Sequence, residues 1–326
     1  MPAPDGNGTK FADHMQDGAA VGVRPVFFSW REALSTRYDV FHLHWPEYLT
    51  RGRTPLRRLA KRALFLALLV KLRVTRTPLV WTVHNAYAHE NGGKGEAWLF
   101  DRVRGATSVA VVMNSTTPLP SGTVSVLIPH GHYRDRFSGL DQPASVSGRL
   151  LYFGIIRPYK NVPALLEVFQ KISEPNLTMA VVGKPLTVAL ENEVRTTADA
   201  DPRVRLDLRF VEDQDLVREV SEAELVVLPY TEMNNSGALL VALSLDRPVL
   251  APASAVNKEL QAEVGDQWLM LYEGDLTADI VRASLDVARA GAQGAPDLQG
   301  RDWARVGEAY KAAYIQAKAL AGRRTS

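Results

Sequence analysis

Apolar runs rich in β-branched residues recur along this chain and alternate with segments of helical period. That alternation constrains the fold more than any other feature. Continuous apolar strands must be covered on both faces, and in parallel sheets the crossover helices cover them. In the first half the expected strands are Pro25–Trp30, Asp39–His44, Leu79–His84, Ser108–Met113 and Thr123–Ile128. In the second half they are Arg149–Phe153, Leu177–Val182, Val204–Leu208, Leu225–Leu228, Pro248–Ala251 and Trp268–Leu271. A chain of 326 residues, against roughly 100–200 for a usual domain, then implies two α/β domains in tandem. The stretch Gly139–Gly148 carries Gly, Pro and Ser without periodicity, which puts the domains at 1–145 and 146–326.

Both ends carry further signals. PAPDGNGTKFADHM reads as a glycine-containing turn feeding a helix, the usual sequel to a first strand. No strand precedes it, so it is a turn without its strand or an N-terminal tail. Near the other end, Arg301–Ala321 is helical by period, and its stripe of Trp303, Val306, Tyr310 and Tyr314 needs a partner surface.

Composition removes several classes of chemistry. The chain is 46% hydrophobic and 23% charged, as in ordinary globular proteins, and contains no cysteine. Disulfides, a thiolate nucleophile and cysteine-ligated metals are therefore excluded, and a reducing cytoplasm fits. The seven histidines include no HExxH pair. The longest apolar run, Ala63–Val70, is far short of the ~20 residues a spanning helix needs. MPAPDGNGTK lacks the apolar core of a signal peptide.

Charge is unevenly spread. Residues 1–148 hold 18 Lys and Arg against 11 Asp and Glu, whereas residues 149–326 hold 20 against 25. The basic excess concentrates between Glu47 and Glu90, where no acidic residue occurs. Arg51, Arg53, Arg57, Arg58, Lys61, Arg62, Lys71, Arg73 and Arg76 all fall there, around the apolar run. A basic helix with an apolar stretch points to an anionic membrane surface, met by the segment Arg51–Arg76. A solvated basic face over a sheet is the plainer reading. No stacking strand or recognition motif accompanies the patch, so nucleic acid is not expected.

The most informative motif is Gly154–Asn161, GIIRPYKN, between the strand RLLYF and the helix VPALLEVFQKI. Turns at the C-terminal ends of parallel strands are where α/β folds bind ligands, and exposed helix N-termini favour anions. Arg157 and Lys160 add two cations there, suited to a diphosphate. Gly183 in VVGKP ends a strand and lets a ligand approach the backbone. Asn234-Asn235-Ser236-Gly237 opens a helix with good N-cap residues and forms a second anion cradle. In the first half, polar residues cluster at strand ends: His42, His44 and Glu47, then His84 and Asn85, then His130, His132 and Arg134. Clusters at successive strand ends converge on one crevice.

The ordered set DVFHLHWPE, PLVWTVHN, VLIPHGHY, LLYFGIIRPYKNVPALLEVF, MAVVGKP, RFVEDQDLVREVSEAELVVLPY and SGALLVALSLDRPVLAP resembles the GT-B-fold nucleotide-sugar glycosyltransferases, in particular glycosyltransferase family 4. It extends over about residues 39–252. The resemblance implies two Rossmann-like domains facing a cleft, the N-terminal one for the acceptor and the C-terminal one for the nucleotide sugar. It also implies a final helix crossing back to the N-terminal domain. Arg157 and Lys160 match the pair that holds the donor diphosphate and stabilises its departure. His84 matches the histidine near the transferred sugar, and Gly6 and Gly8 the glycine turn facing the acceptor. Phe210–Leu216, including Val211, matches the region touching the nucleobase. Gly154, Asn161, Gly183, Val211 and Asn234–Gly237 form the expected donor side; Gly6, Gly8, His44, Asn85, His130 and His132 form the expected acceptor side.

One departure is clear. The family commonly places two glutamates, eight positions apart, around the glycine equivalent to Gly237; here those positions are Asn234 and Ala242. Glu232 lies two residues before the first and can substitute for it. If the reaction inverts, it needs a general base, for which Asp13, Glu47 and His84 are candidates. No metal or other cofactor is implied, the nucleotide sugar being a co-substrate. The DxD-like Asp199-Ala200-Asp201 and Asp213-Gln214-Asp215 are chance matches.

The expected function is transfer of a hexose from a GDP- or UDP-linked donor to a lipid-linked or polysaccharide acceptor presented at a membrane, as in exopolysaccharide biosynthesis. The enzyme would be cytoplasmic and peripherally associated with the membrane's inner face. A non-catalytic nucleotide-sugar-binding partner subunit is the alternative, motivated by the absent glutamates. An epimerase or a phosphorylase fits the segments less well.

Overall fold

The computed structural model describes residues 11–84, 93–233, 235–291 and 294–323. The chain divides by its contacts into one unit of Met1–Gly131 with Gly300–Ser326 and a second of His132–Gln299. The division falls before the Gly139–Gly148 stretch because the preceding segment is already tied to the second unit. Tyr133 N–H donates to Ser244 Oγ at 2.9 Å, and Phe137 is buried in that unit's core. The Gly139–Gly148 stretch is therefore a loop within the second unit.

The first unit holds a four-stranded parallel sheet, β1 (Phe41–Leu43), β2 (Leu79–Val83), β3 (Thr107–Val112) and β4 (Ser125–Leu127), paired in that order. Val80, Val109 and Val111 of these strands are fully buried beneath the helix Trp303–Arg323, whose Trp303, Val306, Tyr310 and Ala313 share their core. The expected stripe of this last helix thus finds its partner surface in the first unit. On the other face, Phe65, Leu68, Leu69 and Leu72 of the helix Pro55–Val74 pack with Leu43, Leu79, Leu99 and Val103.

Among the described residues, Pro25–Trp30 forms no strand. Pro25–Ser29 is irregular, and Ser29 caps the helix Trp30–Ser35 by accepting a hydrogen bond from Glu32 N–H. The apolar content that suggested a strand is used differently: Phe28 lies edge-on to Trp30 and Phe41, against the core from outside the sheet.

The second unit holds six parallel strands: β5 (Arg149–Phe153), β6 (Thr178–Val182), β7 (Val204–Asp207), β8 (Leu225–Val227), β9 (Val249–Pro252) and β10 (Leu269–Tyr272). Their order across the sheet is β10-β9-β8-β5-β6-β7. The chain leaves β5 toward β6 and β7, then returns to place β8 on the other side. This is the doubly wound arrangement, and its switch point lies between β5 and β8. Apart from the edge strand β7, which is half-buried, the strands are mostly buried, with Leu150, Leu151, Val181, Val226 and Val249 inaccessible.

Candidate functional site

At the switch point of the second unit, the turn after β5 carries the sequence's two candidate cations. Gly154 leaves the strand at φ 107°, and Pro158–Lys160 makes one 3-10 turn. Asn161 then adopts the left-handed conformation (φ 54°, ψ 37°) and opens the helix Val162–Gln170 with no side-chain cap bond. Asn tolerates this region better than other side chains. Lys160 folds back along the strand end: a Cβ on Gly154 would lie 3.3 Å from its Nζ. The ammonium stands 5.0 Å from the ring centroid of Tyr230, which follows β8. Burial, then the neighbouring Arg157 guanidinium, pull its pKa down to about 8. Among the described residues neither Arg157 nor Lys160 has a carboxylate within ion-pair distance. Two neighbouring cations without a carboxylate partner among the described residues, beside a helix N-terminus with no side-chain cap, form an arrangement that favours an anion.

The other donor-side candidates fall nearby with mixed roles. Gly183 (φ 146°) follows β6, but the space a Cβ would need is filled by the carbonyl oxygen of Gly154. Glycine is thus required by the approach of one strand-end turn to the next. Ser236 caps the helix Gly237–Ser244, accepting from Leu239 N–H at 3.2 Å. Asn235 and Gly237 flank it, half-buried, and Val211 packs against the second core. Asn234 lies outside the described residues. Ala242 is fully buried in the core, and Glu232 is exposed beside Tyr159, whose pKa it helps to raise. Three of the DxD-like carboxylates are held by arginines: Asp201 by Arg203 at 2.6 Å, Asp213 by Arg136 at 2.7 Å and Asp215 by Arg209 at 2.7 Å. Asp199 caps the C-terminus of the helix Val188–Ala198.

In the first unit the strand ends bring four histidines together. His44 follows β1, His84 follows β2, and His130 follows β4. His44 Nδ1 and His84 Nε2 are 2.9 Å apart, and Trp45 stacks on His84 with centroids 4.0 Å apart at 21°. The Phe11 ring meets His44, His84 and His130 edge-on at 5.4, 5.1 and 5.0 Å. His42, inside β1, bonds to Tyr314 and Thr82, each at 2.8 Å. Burial holds all four imidazoles below their ordinary range, His42 to about 3 and His130 to about 4. They are neutral at neutral pH.

Of the remaining acceptor-side and base candidates, His132 is buried in the second unit, where its Nδ1 accepts from Arg134 N–H at 3.3 Å. Asp13 lies in the first turn of the helix Phe11–Asp17. Glu47 lies on the short helix Pro46–Thr50 after β1, and burial raises its pKa. Arg51 instead pairs with the buried Glu96 at 2.9 Å. Gly6, Gly8 and Asn85 are outside the described residues. Sequence reasoning passed over Trp45 and Tyr230, which orient His84 and Lys160. Their signal was available, since each stands just past a strand's C-terminal end.

The basic segment forms the helix Pro55–Val74, capped by Thr54 and free of acidic residues. Opposite its packed face runs a second apolar stripe, exposed: Leu56 77%, Leu59 67%, Val70 54% and Val74 75%, with Leu66 between. Lys61 and Lys71 turn to backbone carbonyls, of Tyr48 and of Ala33 and Thr36. Arg53, Arg57, Arg58, Arg73 and Arg76 stay exposed, with no carboxylate partner among the described residues. No described helix is long and apolar enough to cross a membrane.

Residues 147–289 match the family model described as glycosyl transferases group 1. Two Xanthomonas campestris pv. campestris proteins named GDP-mannose:glycolipid 4-beta-D-mannosyltransferase are 46% identical over 316 residues, 96% of this chain and 90% of theirs. Among solved structures, the Anabaena HepE complex with UDP aligns with a TM-score of 0.54 at 12% identity, covering 81% of this chain and 75% of that one. Sucrose-phosphate synthase from Thermosynechococcus elongatus aligns with a TM-score of 0.53 at 16% identity, over 87% and 69%. These two share the fold. The 46% identity to the Xanthomonas proteins, across nearly the full length of both chains, with the family match, shows that the protein is a glycosyltransferase and belongs to the group 1 glycosyl transferases of GT-B fold.

Proposed function

We propose that this glycosyltransferase moves mannose from GDP-mannose to a glycolipid acceptor, forming a β-1,4 linkage, at the cytoplasmic face of a membrane. The donor and acceptor follow the name shared by the Xanthomonas relatives. The observation that carries the chemistry is the Arg157–Lys160 pair at the switch point of the second sheet, two cations without a carboxylate partner among the described residues. A nucleoside diphosphate supplies the missing negative charge. As the glycosidic bond to its phosphate breaks, charge builds on the leaving group, and cations already in place lower that barrier without reorganising. The histidine group of the first unit serves the sugar side, where neutral imidazoles exchange hydrogen bonds with hydroxyls. No step requires a metal or another cofactor.

The membrane contact is assigned to the helix Pro55–Val74. Its outward stripe of Leu56, Leu59, Leu66, Val70 and Val74 matches the acyl boundary, and the exposed arginines match anionic headgroups. The enzyme then rests on the surface that presents its acceptor.

The test is transfer of radiolabelled mannose from GDP-mannose to a lipid-diphosphate-linked oligosaccharide, with UDP-glucose and GDP-glucose as competing donors. A β-mannosidase-sensitive lipid product is expected. Replacing Arg157 and Lys160 together by Ala lowers transfer by roughly a hundred- to a thousandfold, with the fold intact by circular dichroism. Full activity in the double variant, or transfer only from another donor, overturns the assignment.

A further inference from the structure

The helix Lys94–Ala106 carries a side chain that neither the cation pair nor the histidine group uses. Of the six tryptophans, five are buried or half-buried, and Trp98 is 45% exposed. Glu96, Leu99 and Val103 are the buried residues of this helix, and Trp98 lies on the side away from them. A lone exposed apolar side chain is ordinary. What sets Trp98 apart is its surroundings. The helix packs beside Pro55–Val74 on the same face of the first sheet. Each leads into a strand of that parallel sheet, so the two run the same way. They meet at Gly95, where a Cβ would lie 2.7 Å from Arg62 Nη1. From Arg62, steps of three and four residues reach Leu59, Leu66 and Val70; from Gly95 the same steps reach Trp98 and Arg102. Leu66 and Val70 therefore rise on one side of the seam while Trp98 and Arg102 rise on the other. The exposed apolar stripe of the first helix continues across the seam to Trp98.

Charge follows the same pattern. The Arg102 guanidinium stands 4.7 Å from the Trp98 ring centroid, with no carboxylate partner among the described residues. Both acids of the helix are taken: Glu96 pairs with Arg51, and Asp101 with Arg104. We propose that Trp98 and Arg102 extend the membrane-contact surface onto a second helix, the indole entering the headgroup–acyl boundary of an anionic bilayer and Arg102 meeting the lipid phosphates beside it. The proposal rests on the reading above that the helix Pro55–Val74 meets the membrane. Indole suits this boundary because its body is apolar and its N–H is polar. A guanidinium on a flexible stem stays in the headgroups while its ring neighbour goes deeper. Contact along one helix leaves the protein free to rock about that helix's axis. An anchor to one side sets the tilt of the first unit on the surface.

The test is quenching of tryptophan fluorescence of the full chain by brominated phospholipid, in vesicles of phosphatidylglycerol and phosphatidylcholine. Trp98→Phe removes the one exposed indole, so the difference between wild type and variant isolates it. That difference should be quenched, more by bromine near the headgroup end of the acyl chain than near its methyl end. In vesicles of phosphatidylcholine alone it should not be. Trp98→Ala should weaken vesicle binding roughly three- to tenfold, and Arg102→Ala roughly fivefold at low salt and less at high salt. Sedimentation of the wild type with the same vesicles reads the underlying assignment separately. Sedimentation with Trp98 unquenched overturns this proposal and leaves the helix Pro55–Val74 at the membrane, whereas no sedimentation removes both. Equal quenching in phosphatidylcholine alone defeats the anionic surface as the partner. Should Trp98→Phe not fold, the wild-type emission still decides, since no other indole is exposed.

Discussion

The charge on Lys160 is conditional. Its pKa of about 8, set by burial and by Arg157, means that the free protein loses this cation as pH rises through that value. An incoming diphosphate favours the charged form, so binding above pH 8 takes up a proton and grows weaker. Titration calorimetry with GDP is expected to show affinity falling between about pH 7.5 and 9.5, steeply beyond 8, since a guanidinium alone then remains. Lys160→Arg flattens the profile, and a flat wild-type profile would refute the assignment of Lys160 to the anion. The role of Gly183 is steric. Gly183→Ala puts a Cβ onto the Gly154 carbonyl at an already glycine-favouring φ, and urea denaturation should register a loss of about 2–4 kcal/mol. The position of Arg157 and Lys160 just past β5 could be read from the sequence because cations after an apolar strand are a local pattern. The neighbour of Gly183 could not, since Gly154 meets it only once two strands pair. Trp45 and Tyr230 could be placed just past strand ends in the same way, but their contacts with His84 and Lys160 could not, since each forms between two strand ends.

Elements were read well wherever burial on both faces made the pattern continuous. Arg149–Phe153 was placed to the residue, and β6, β8 and β9 to within a residue or so at each end. Pro25–Trp30 failed because its aromatic residues cover a core edge without pairing with a strand, a distinction periodicity does not make. The helix Pro55–Val74 shows the limit more sharply. Its basic charge was visible in the sequence, but the separation into a packed stripe and an opposite exposed one needed the fold. Leu59→Glu should therefore leave stability within about 0.5 kcal/mol, as for other exposed positions. Sedimentation with vesicles containing phosphatidylglycerol should nevertheless show weaker binding. Arg57→Glu together with Arg58→Glu should weaken it further and make it less salt-dependent. Vesicle binding that ignores both changes would refute the assignment of this helix to the membrane. Ser236→Ala, by contrast, removes only a cap from the helix Gly237–Ser244 and should cost about 1 kcal/mol.

Across the whole molecule, the two units differ in what acid does to them. His42, His44, His84 and His130 are buried neutral in the first, and unfolding returns each to an ordinary value near 6.5. The unfolded chain therefore binds protons that the folded unit refuses. Their stabilisation is complete above pH 6.5 and is lost as pH falls toward 4 and 3. Hydrogen exchange at pH 5 should show residues 41–44, 79–84 and 303–317 losing protection before β5, β6 and β8; simultaneous loss would count against it. That two α/β units follow one another was evident from strand spacing. The sheet that the last helix covers was not evident from its periodicity, which shows a stripe but no partner; the resemblance to family 4 is what implied that it crosses back to the N-terminal domain, as it does. The helix Trp303–Arg323 completes a core begun by Phe11, Val80, Val109 and Val111, so the first unit straddles the second in the chain. On the ribosome the order of completion is thus the reverse of the order of numbering. The second unit has all its strands once Tyr272 has emerged, whereas the first waits with an uncovered sheet face until the last helix is translated. A pause or chaperone contact just before that helix emerges would act on the unit whose strands were made before those of the other.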